Sequence, residues 1–177
     1  GLEADENGIL RVDDQCRTSV EHIFAVGDVA DPRKHSHLAE RMGTVAGDVV
    51  AGGHLREDRR FVPIVIYTHP QVACVGVCGE APHDDTEPCE TVRYEFGGSG
   101  TARLYEADRG SLELLLRSGG EHLAGATWVG PHAMDLIVEV ALALRHGLTL
   151  QDVWNTLHPH PSFQESLHAA VESHLDS

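Results

Sequence analysis

Residues 62–78, VPIVIYTHPQVACVGVC, contain two runs of apolar residues separated by Thr68-His69-Pro70. Each run has the length of a β-strand and is rich in valine and isoleucine, which favour strands. A proline within the short polar break is typical of a turn. The stretch therefore predicts two consecutive strands, and it marks the point at which the character of the chain changes.

The sequence after this stretch predicts further strands and then helices. CGEAPHDDTEPCE, residues 78–90, is polar and contains two prolines, so we expect a loop there. The strand candidates that follow are TVRYEF at 91–96, TARLYEA at 101–107, SLELLLRS at 111–118 and HLAGATWVG at 122–130. Apolar residues then recur at helical spacing from His132 to Gly147, and helical segments follow at 150–155 and after Ser162. Residues 62–177 therefore predict an α+β domain, an antiparallel β-meander with packed helices.

The sequence before residue 62 has a different organisation. Residues 9–12 are a short strand candidate, and HIFAVGDV at 22–29 is an apolar run ending in Gly-Asp. Such a run is typical of a buried parallel strand that leads into a functional loop. Apolar residues at helical spacing over 37–51 predict a helix that Gly52-Gly53 ends. Residues 1–56 are too few to fold alone, so we expect the strand–loop–helix tail of an α/β domain.

The charge of the chain excludes some classes of partner. Acidic residues outnumber basic residues 28 to 13, which gives a net charge of −15. Nucleic acid and anionic membrane surfaces both attract lysine and arginine, so neither is expected to bind this chain. Lys34 is the only lysine, a bias that fits either a salt-rich cell or a GC-rich genome. The chain has no apolar run of the roughly 20 residues that span a bilayer and no signal-peptide pattern in GLEADENGIL, so we expect a cytoplasmic protein.

The four cysteines are Cys16, Cys74, Cys78 and Cys89, and their irregular spacing does not predict a disulfide framework. Cys74 and Cys78 are separated by three residues within a predicted strand and turn. A redox pair and structural thiols are the two interpretations, and the context favours structural thiols.

Residues 157–175, LHPHPSFQESLHAAVESHL, admit three interpretations. In the first, Ser162 is a helix N-cap and Glu165 closes a capping box, which explains Glu165 but not His160. The second is a metal site that uses His158 and His160, although no cysteine or carboxylate cluster with ligand spacing accompanies them. In the third, Glu165 holds His160 in one tautomer so that the imidazole can transfer protons.

Residues 18–52, TSVEHIFAVGDVADPRKHSHLAERMGTVAGDVVAG, resemble the second flavin-contacting segment of the FAD-dependent pyridine nucleotide–disulfide oxidoreductases. The first eleven of these residues match the family pattern T-S-x-x-x-I-[FY]-A-[IV]-G-D in register. The resemblance implies that Asp28, which follows Gly27, hydrogen-bonds a ribityl hydroxyl of FAD. It also implies that backbone groups at the start of the next helix meet the flavin pyrimidine edge. These groups belong to Lys34, His35, Ser36 and His37.

The terminal H-x-H-P-[ST]-x-x-E pattern at 158–165 resembles that of the dihydrolipoamide dehydrogenases within this family. It implies that His160 is the acid–base catalyst and Glu165 its partner, while Gln164 stands where serine is common in the family. Glutathione-reductase-like members usually lack the first histidine, and mercuric-reductase-like members usually end in a cysteine pair that this chain lacks. Both remain alternatives. Further matches to the family's interface domain are Val62-Pro63, Tyr67-Thr68-His69-Pro70 and Gly130-Pro131-His132-Ala133, so that the resemblance covers essentially the whole chain.

The resemblance implies an enzyme that oxidises a dithiol, such as dihydrolipoamide, and reduces NAD⁺ through FAD. It implies that residues 1–56 are the C-terminal segment of the FAD-binding domain and residues 62–177 the dimerisation (interface) domain of a homodimer. A 2-oxo acid dehydrogenase complex is the wider partner implied, and no metal is predicted.

The sequence contains neither the G-x-G-x-x-G fingerprint of a dinucleotide site nor the family's C-x4-C redox disulfide. We therefore expect a C-terminal portion of the enzyme that is inactive alone but dimerises. A non-catalytic dimerisation or interaction module of the same fold is the alternative from another class. A histidine-rich metal-binding module is a third possibility.

Overall fold

The structure, a computed structural model, describes residues 1–77, 90–107 and 109–176. Most of the predicted loop at 78–90 lies outside the described residues, and so do Cys78, Cys89 and Asp108. The chain divides into two compact units, Gly1–Arg60 and Phe61–Ser177.

The first unit contains one long helix, α1, which spans Ser36–Val50. Its buried residues recur every three or four positions along one face, and they are Leu38, Met42, Val45, Ala46 and Val49. Gly52 follows the helix with φ +91° and donates its N–H to the carbonyl of Val49 at 3.0 Å. Glycine adopts this left-handed conformation without strain, which explains why the helix ends there.

The strand candidates of the first unit form only isolated contacts. Phe24 makes one antiparallel bridge, and the segment 9–12 makes another. Ile23 and Val26 are exposed, so the structure does not have the predicted buried parallel strand at 22–29. A parallel strand needs neighbouring strands to complete its hydrogen bonds and to cover its faces. The described residues of this unit supply no such neighbour.

The second unit is built on an antiparallel sheet, which among the described residues has five strands in the order β1-β2-β5-β4-β3. The strands are β1 Ile64–Ile66, β2 Gln71–Gly76, β3 Glu90–Glu95, β4 Ser111–Leu116 and β5 Leu123–Gly130. β3, β4 and β5 pair in succession, and β5 also pairs with β2, where Trp128 lies opposite Ala73. The α+β class with an antiparallel sheet and packed helices is thus confirmed.

One face of the sheet forms the core of the second unit. Side chains alternate along β4, so that Leu112, Leu114 and Leu116 are buried while the residues between them are only partly covered. The indole ring of Trp128 on β5 packs edge-on against the ring of Phe96, with centroids 6.0 Å apart. These residues anchor the sheet on which the helices rest.

The strand candidate at 101–107 is in fact a short helix, α2, Gly100–Leu104. The Ser99 hydroxyl caps it by accepting a hydrogen bond from the Ala102 N–H at 3.3 Å. Ala102 and the residue before it are both buried, so burial does not alternate as it does along a strand. The prediction was wrong because the serine N-cap outweighs the strand preference of the residues that follow.

Three helices complete the second unit: α3 Ala133–His146, α4 Leu150–Asn155 and α5 Glu165–Leu175. α3 packs on β2 and β5, and α5 packs on β3 and β4. Gly147 ends α3 with φ +61°, and a capping box of Thr149 and Asp152 starts α4. The end of α3 and the start of α4 are thus defined by local caps, and the turn that follows α4 leads into α5. No helix within the described residues is long and apolar enough to cross a membrane.

Candidate functional site

The turn between α4 and α5 brings His160 next to Glu165. The Nδ1 atom of His160 lies 2.7 Å from Oε1 of Glu165. The Ser162 N–H donates to Oε2 of the same carboxylate, also at 2.7 Å. The His160–Pro161 peptide within the turn is cis. One carboxylate therefore binds the imidazole and the backbone of the turn at the same time.

The capping box predicted at the start of α5 forms only in part. Glu165 accepts the Ser162 N–H, but it is itself the first residue of the helix. The Ser162 hydroxyl is buried and has no hydrogen-bond partner among the described residues. An N-cap hydroxyl must directly precede the first helical turn, and that position belongs to Gln164. The prediction that Ser162 caps the helix is therefore wrong.

The charge state of Glu165 determines which nitrogen of His160 carries the proton. Burial opposes ionisation of Glu165, but hydrogen bonds from the Ser162 N–H and from His160 outweigh it and hold the pKa of Glu165 below its usual value. The ionised carboxylate can only accept, so Nδ1 of His160 must donate across the 2.7 Å contact. In the neutral imidazole this leaves Nε2 with a lone pair that can accept a proton.

The His160–Glu165 pair lies at the surface beside a cleft. The His160 side chain is 82% exposed and that of Glu165 is 34% exposed. The cleft has a volume of about 460 Å³, and its walls include Tyr94, Ser99, Thr101, Leu157 and His168. An exposed basic nitrogen next to a cleft can take a proton from a small donor such as a thiol.

A second carboxylate, Glu139 on α3, reaches the same turn, and the sequence analysis missed it. The His158 Nε2 atom lies 3.0 Å from Oε1 of Glu139, and the Gln164 side-chain amide donates to Oε2. The His158 side chain is only 5% exposed. Glu139 interrupts the apolar run between Ile137 and Val140, and a charged residue within a run that packs on a sheet is the signal that could have identified it.

The two histidines of the metal interpretation are engaged by different carboxylates, His158 by Glu139 and His160 by Glu165. The His168 ring lies 5.9 Å from the ring of His158 and stacks on Trp154. Within the described parts of the chain, no three His, Cys, Asp or Glu side chains are grouped so that they could hold a metal ion.

Gly27 and Asp28 lie in a short 3-10 turn, Gly27–Val29, that precedes α1. Gly27 has φ +72°, and a Cβ atom there would lie 3.1 Å from the Cβ of Ala39 on α1. The turn and the helix therefore approach each other closely at a position that favours glycine. Asp28 is exposed, so its carboxylate can accept hydrogen bonds from a ligand.

Asp31 and Arg33 fix the loop between this turn and α1. Arg33 donates from Nε and one terminal nitrogen to the two Asp31 carboxylate oxygens, at 2.9 and 2.8 Å. Its N–H donates to the same carboxylate at 3.0 Å, and its other terminal nitrogen donates to the Arg59 carbonyl at 3.1 Å. The hydrogen bond from the Arg33 side chain is the main cause that lowers the pKa of the buried Asp31. The sequence analysis did not predict this bidentate pair, whose signal is the Asp-x-Arg spacing in a loop.

The other predicted cofactor-binding residues, Lys34 to His37, lie at the N-terminus of α1. Lys34 has φ +56°, Ser36 is the first helical residue, and no side chain caps the helix. The rings of His35 and His37 stack with centroids 5.2 Å apart. Burial, with a smaller effect of the neighbouring His37 and Arg33, lowers the pKa of His35. The first N–H groups of any helix lack intrahelical partners, so this end can bind a carbonyl or anionic group.

The two features of the first unit together suit a flavin nucleotide. Asp28 provides an acceptor for a hydroxyl group, and the first turn of α1 provides N–H donors at the positive end of the helix dipole. The 3.1 Å approach at Gly27 keeps the acceptor beside the helix. A ribityl chain and a pyrimidine edge carry the matching hydroxyl and carbonyl groups, so the residues present fit FAD.

The same architecture occurs in solved structures of other proteins. LpdA from Mycobacterium tuberculosis superposes with a TM-score of 0.86, covering 98% of this chain and 38% of that protein at 24% identity. The HOCl-induced flavoprotein disulfide reductase RclA from Escherichia coli superposes with a TM-score of 0.85, covering 97% of this chain and 40% of that protein at 23% identity. At these identities the likeness establishes the fold.

Sequence comparison identifies the family. The dimerisation domain of the pyridine nucleotide-disulphide oxidoreductases matches residues 62–171, and the pyridine nucleotide-disulphide oxidoreductase domain matches residues 1–44. The chain belongs to the pyridine nucleotide-disulphide oxidoreductase family. The resemblance predicted from the motifs is thus confirmed.

The relatives include several dihydrolipoyl dehydrogenases. The chain is 39% identical over 177 residues to the dihydrolipoyl dehydrogenase of Haloferax volcanii and 33% identical over 172 residues to that of Geobacillus stearothermophilus. These alignments cover 99% and 97% of this chain. The chain spans 37% of the length of each relative.

Proposed function

We propose that this chain supplies the dimerisation domain and the acid–base pair of a dihydrolipoyl dehydrogenase-like enzyme, which oxidises a dithiol and reduces NAD⁺. In this proposal residues 1–56 are the C-terminal segment of the FAD-binding domain and residues 62–177 the dimerisation domain. The observation that carries it is the 2.7 Å contact between His160 and Glu165, which leaves Nε2 of His160 available beside a cleft.

His160 acts on the proton of the substrate thiol. Its Nε2 atom takes the S–H proton, which leaves a thiolate on the substrate and an imidazolium on the enzyme. Glu165 stabilises the imidazolium through Nδ1. The thiolate attacks the redox disulfide of the enzyme, one enzyme sulfur leaves as a thiolate, and a mixed disulfide forms. The imidazolium then passes its proton to that first enzyme sulfur, and the freed Nε2 takes the proton of the second substrate thiol. The second substrate thiolate displaces the other enzyme sulfur, so that the substrate becomes a disulfide and the enzyme holds one thiol, one thiolate and the imidazolium.

The first unit contributes to cofactor binding. Asp28 binds a ribityl hydroxyl, Gly27 allows the close approach of the turn to α1, and the backbone of Lys34 to His37 binds the pyrimidine edge. When bound, FAD carries electrons from the enzyme dithiol to NAD⁺.

The functional unit in this proposal is a homodimer in which each acid–base pair serves the disulfide of the partner subunit. Three apolar residues on α3 support it: Met134, Val138 and Leu142 are exposed and lie at intervals of four residues, so they form one stripe along the helix. The matched family is itself described as a dimerisation domain. A 2-oxo acid dehydrogenase complex is the proposed source of the dithiol.

Replacement of His160 by Gln in the complete flavoenzyme tests the role of the acid–base pair. We expect turnover of dihydrolipoamide to fall by about a hundredfold or more, because a general base contributes on that order. The FAD content should not change, since His160 lies outside the proposed flavin-binding residues. His54→Gln is the matched control, because His54 is an exposed histidine of the first unit. Turnover of His160→Gln equal to that of the control would refute the proposed role.

A further inference from the structure

The turn that carries His160 is held at both ends by one side chain. Glu139 accepts from His158, two residues before His160, and from Gln164, one residue before Glu165. The two contacts use different oxygens of the Glu139 carboxylate. Both flanks of the turn are thereby tied to α3, whose inner face packs on the sheet.

The acid–base pair cannot fix its own geometry. With 82% of the His160 side chain and 34% of the Glu165 side chain exposed, the pair is solvated. Exposed ion pairs contribute little to stability, so the contact within the pair is a weak constraint on the turn. The contacts of Glu139 are better protected, because the His158 side chain is only 5% exposed. The rigidity of the turn must come from these flanking contacts and from packing of the turn itself.

Phe163 is the competing source of rigidity. Its ring is buried and lies 5.9 Å from the ring of Phe96 and 5.4 Å from that of Tyr105. The packing of Phe163 holds one residue of the turn in place. Neither of these two ring contacts involves His158. Any test must therefore separate the polar contacts of Gln164 from the packing of Phe163.

We propose that Gln164, acting through Glu139, is a positioning residue for the His160–Glu165 pair. The Gln164 amide holds the Glu139 carboxylate in the orientation in which its other oxygen accepts from His158, and so fixes the turn from both sides. Its catalytic consequence rests on the proposed function.

The tautomer of His160 reports on the proposed positioning independently of catalysis. In the ¹⁵N-labelled chain, at a pH high enough for the imidazole rings to be neutral, long-range ¹H–¹⁵N spectra distinguish a protonated ring nitrogen from a bare one. We expect His160 to be protonated at Nδ1 in the wild type. In Gln164→Leu we expect the tautomer mixture shown by the exposed His54 of the same molecule. Gln151→Leu, an exposed glutamine on α4, is the matched control and should behave as the wild type.

An exchange of the two side chains tests the same contact without a change of shape. Gln164→Glu alone places two carboxylates in contact and should disturb His160 as Gln164→Leu does. Adding Glu139→Gln restores the hydrogen bonds, because the new amide can accept from His158 and donate to the new carboxylate. We expect the double variant to recover the wild-type tautomer. Phe163 is unchanged throughout, so a packing role alone predicts no such recovery.

In the complete flavoenzyme, Gln164→Leu should slow flavin reduction by dihydrolipoamide by about tenfold or more, since misplacement of a catalytic group by about 1 Å is costly. The double exchange should return the rate to within about twofold of wild type. A wild-type tautomer in Gln164→Leu, or no recovery in the double exchange, would overturn the proposal. If His160→Gln turns over normally, the proposed function fails, while the tautomer measurement still decides whether Gln164 positions His160.

Discussion

At the scale of single residues, Glu165 makes two different contacts with its carboxylate. One oxygen binds His160, and the other accepts the Ser162 N–H. The backbone contact closes the turn, and the imidazole contact fixes the tautomer of His160, the proposed catalytic base. From sequence, Glu165 was open to a structural and a catalytic interpretation, and it makes the contact that each of them requires. An isosteric amide at this position would retain the shape but lose the charge that both donors face.

The contribution of Glu165 to stability should depend on pH. Its pKa is lower in the folded chain than in the unfolded chain, so the contribution is present above the unfolded value of about 4.3 and is lost as the pH falls through the folded value. We expect Glu165→Gln to lower the free energy of unfolding at pH 7 by about 1 kcal/mol, a modest figure because the group is partly exposed. Urea titrations should show the difference disappearing below about pH 4. A difference that stays constant with pH would show that the ionised carboxylate is not its cause.

At the scale of elements, the acid–base turn depends on the helices that flank it. α5 packs on β3 and β4, and α3 packs on β2 and β5, so the two carboxylates that reach the turn come from helices resting on different parts of one sheet. Leu167 on α5 is fully buried in the core shared by these elements. Loss of packing under α5 should therefore affect the site as well as stability.

Leu167→Ala should lower the free energy of unfolding by about 2–5 kcal/mol, because it removes buried apolar contacts and leaves a cavity. The matched control is Leu157→Ala, whose side chain is 95% exposed, and it should change the free energy of unfolding by less than about 0.5 kcal/mol. Chemical denaturation followed by circular dichroism measures both. Equal losses in the two variants would contradict the packing described for α5.

The elements that the sequence predicted correctly are those with complete local signals. α1 and α3 have regular helical spacing in the sequence, and each is followed by a glycine with positive φ, Gly52 or Gly147. The strand predicted at 101–107 is wrong because the N-cap at Ser99 starts a helix there. The strand predicted at 22–29 is wrong because a parallel strand forms only beside neighbouring strands. The charge of Glu139 within an apolar run marks its position. Its partners could not be identified from spacing, because they lie 19 and 25 residues along the chain and only the fold brings them together.

At the scale of the whole molecule, the chain carries the His160–Glu165 pair and an exposed apolar stripe on α3. The exposed stripe Met134, Val138 and Leu142 on α3 is the proposed contact with a second copy. The chain spans 37% of the length of its relatives, and the family's redox disulfide has no counterpart in its sequence. The proposed chemistry therefore needs residues from elsewhere in the enzyme, and in the proposed two-fold dimer the partner subunit supplies them to each His160–Glu165 pair.

The central claim is that the His160–Glu165 pair serves the disulfide of the partner subunit, and a mixed dimer of the complete enzyme tests it most directly. One subunit carries His160→Gln, and the other carries serine in place of a cysteine of the redox disulfide, so each parent homodimer has at most about a hundredth of the wild-type rate. The two subunits bear different affinity tags, and the purified heterodimer is assayed for oxidation of dihydrolipoamide. The mixed dimer combines an intact disulfide with an intact His160 at one of its two sites, so we predict about half of the wild-type rate. A heterodimer no more active than its parents would contradict the claim.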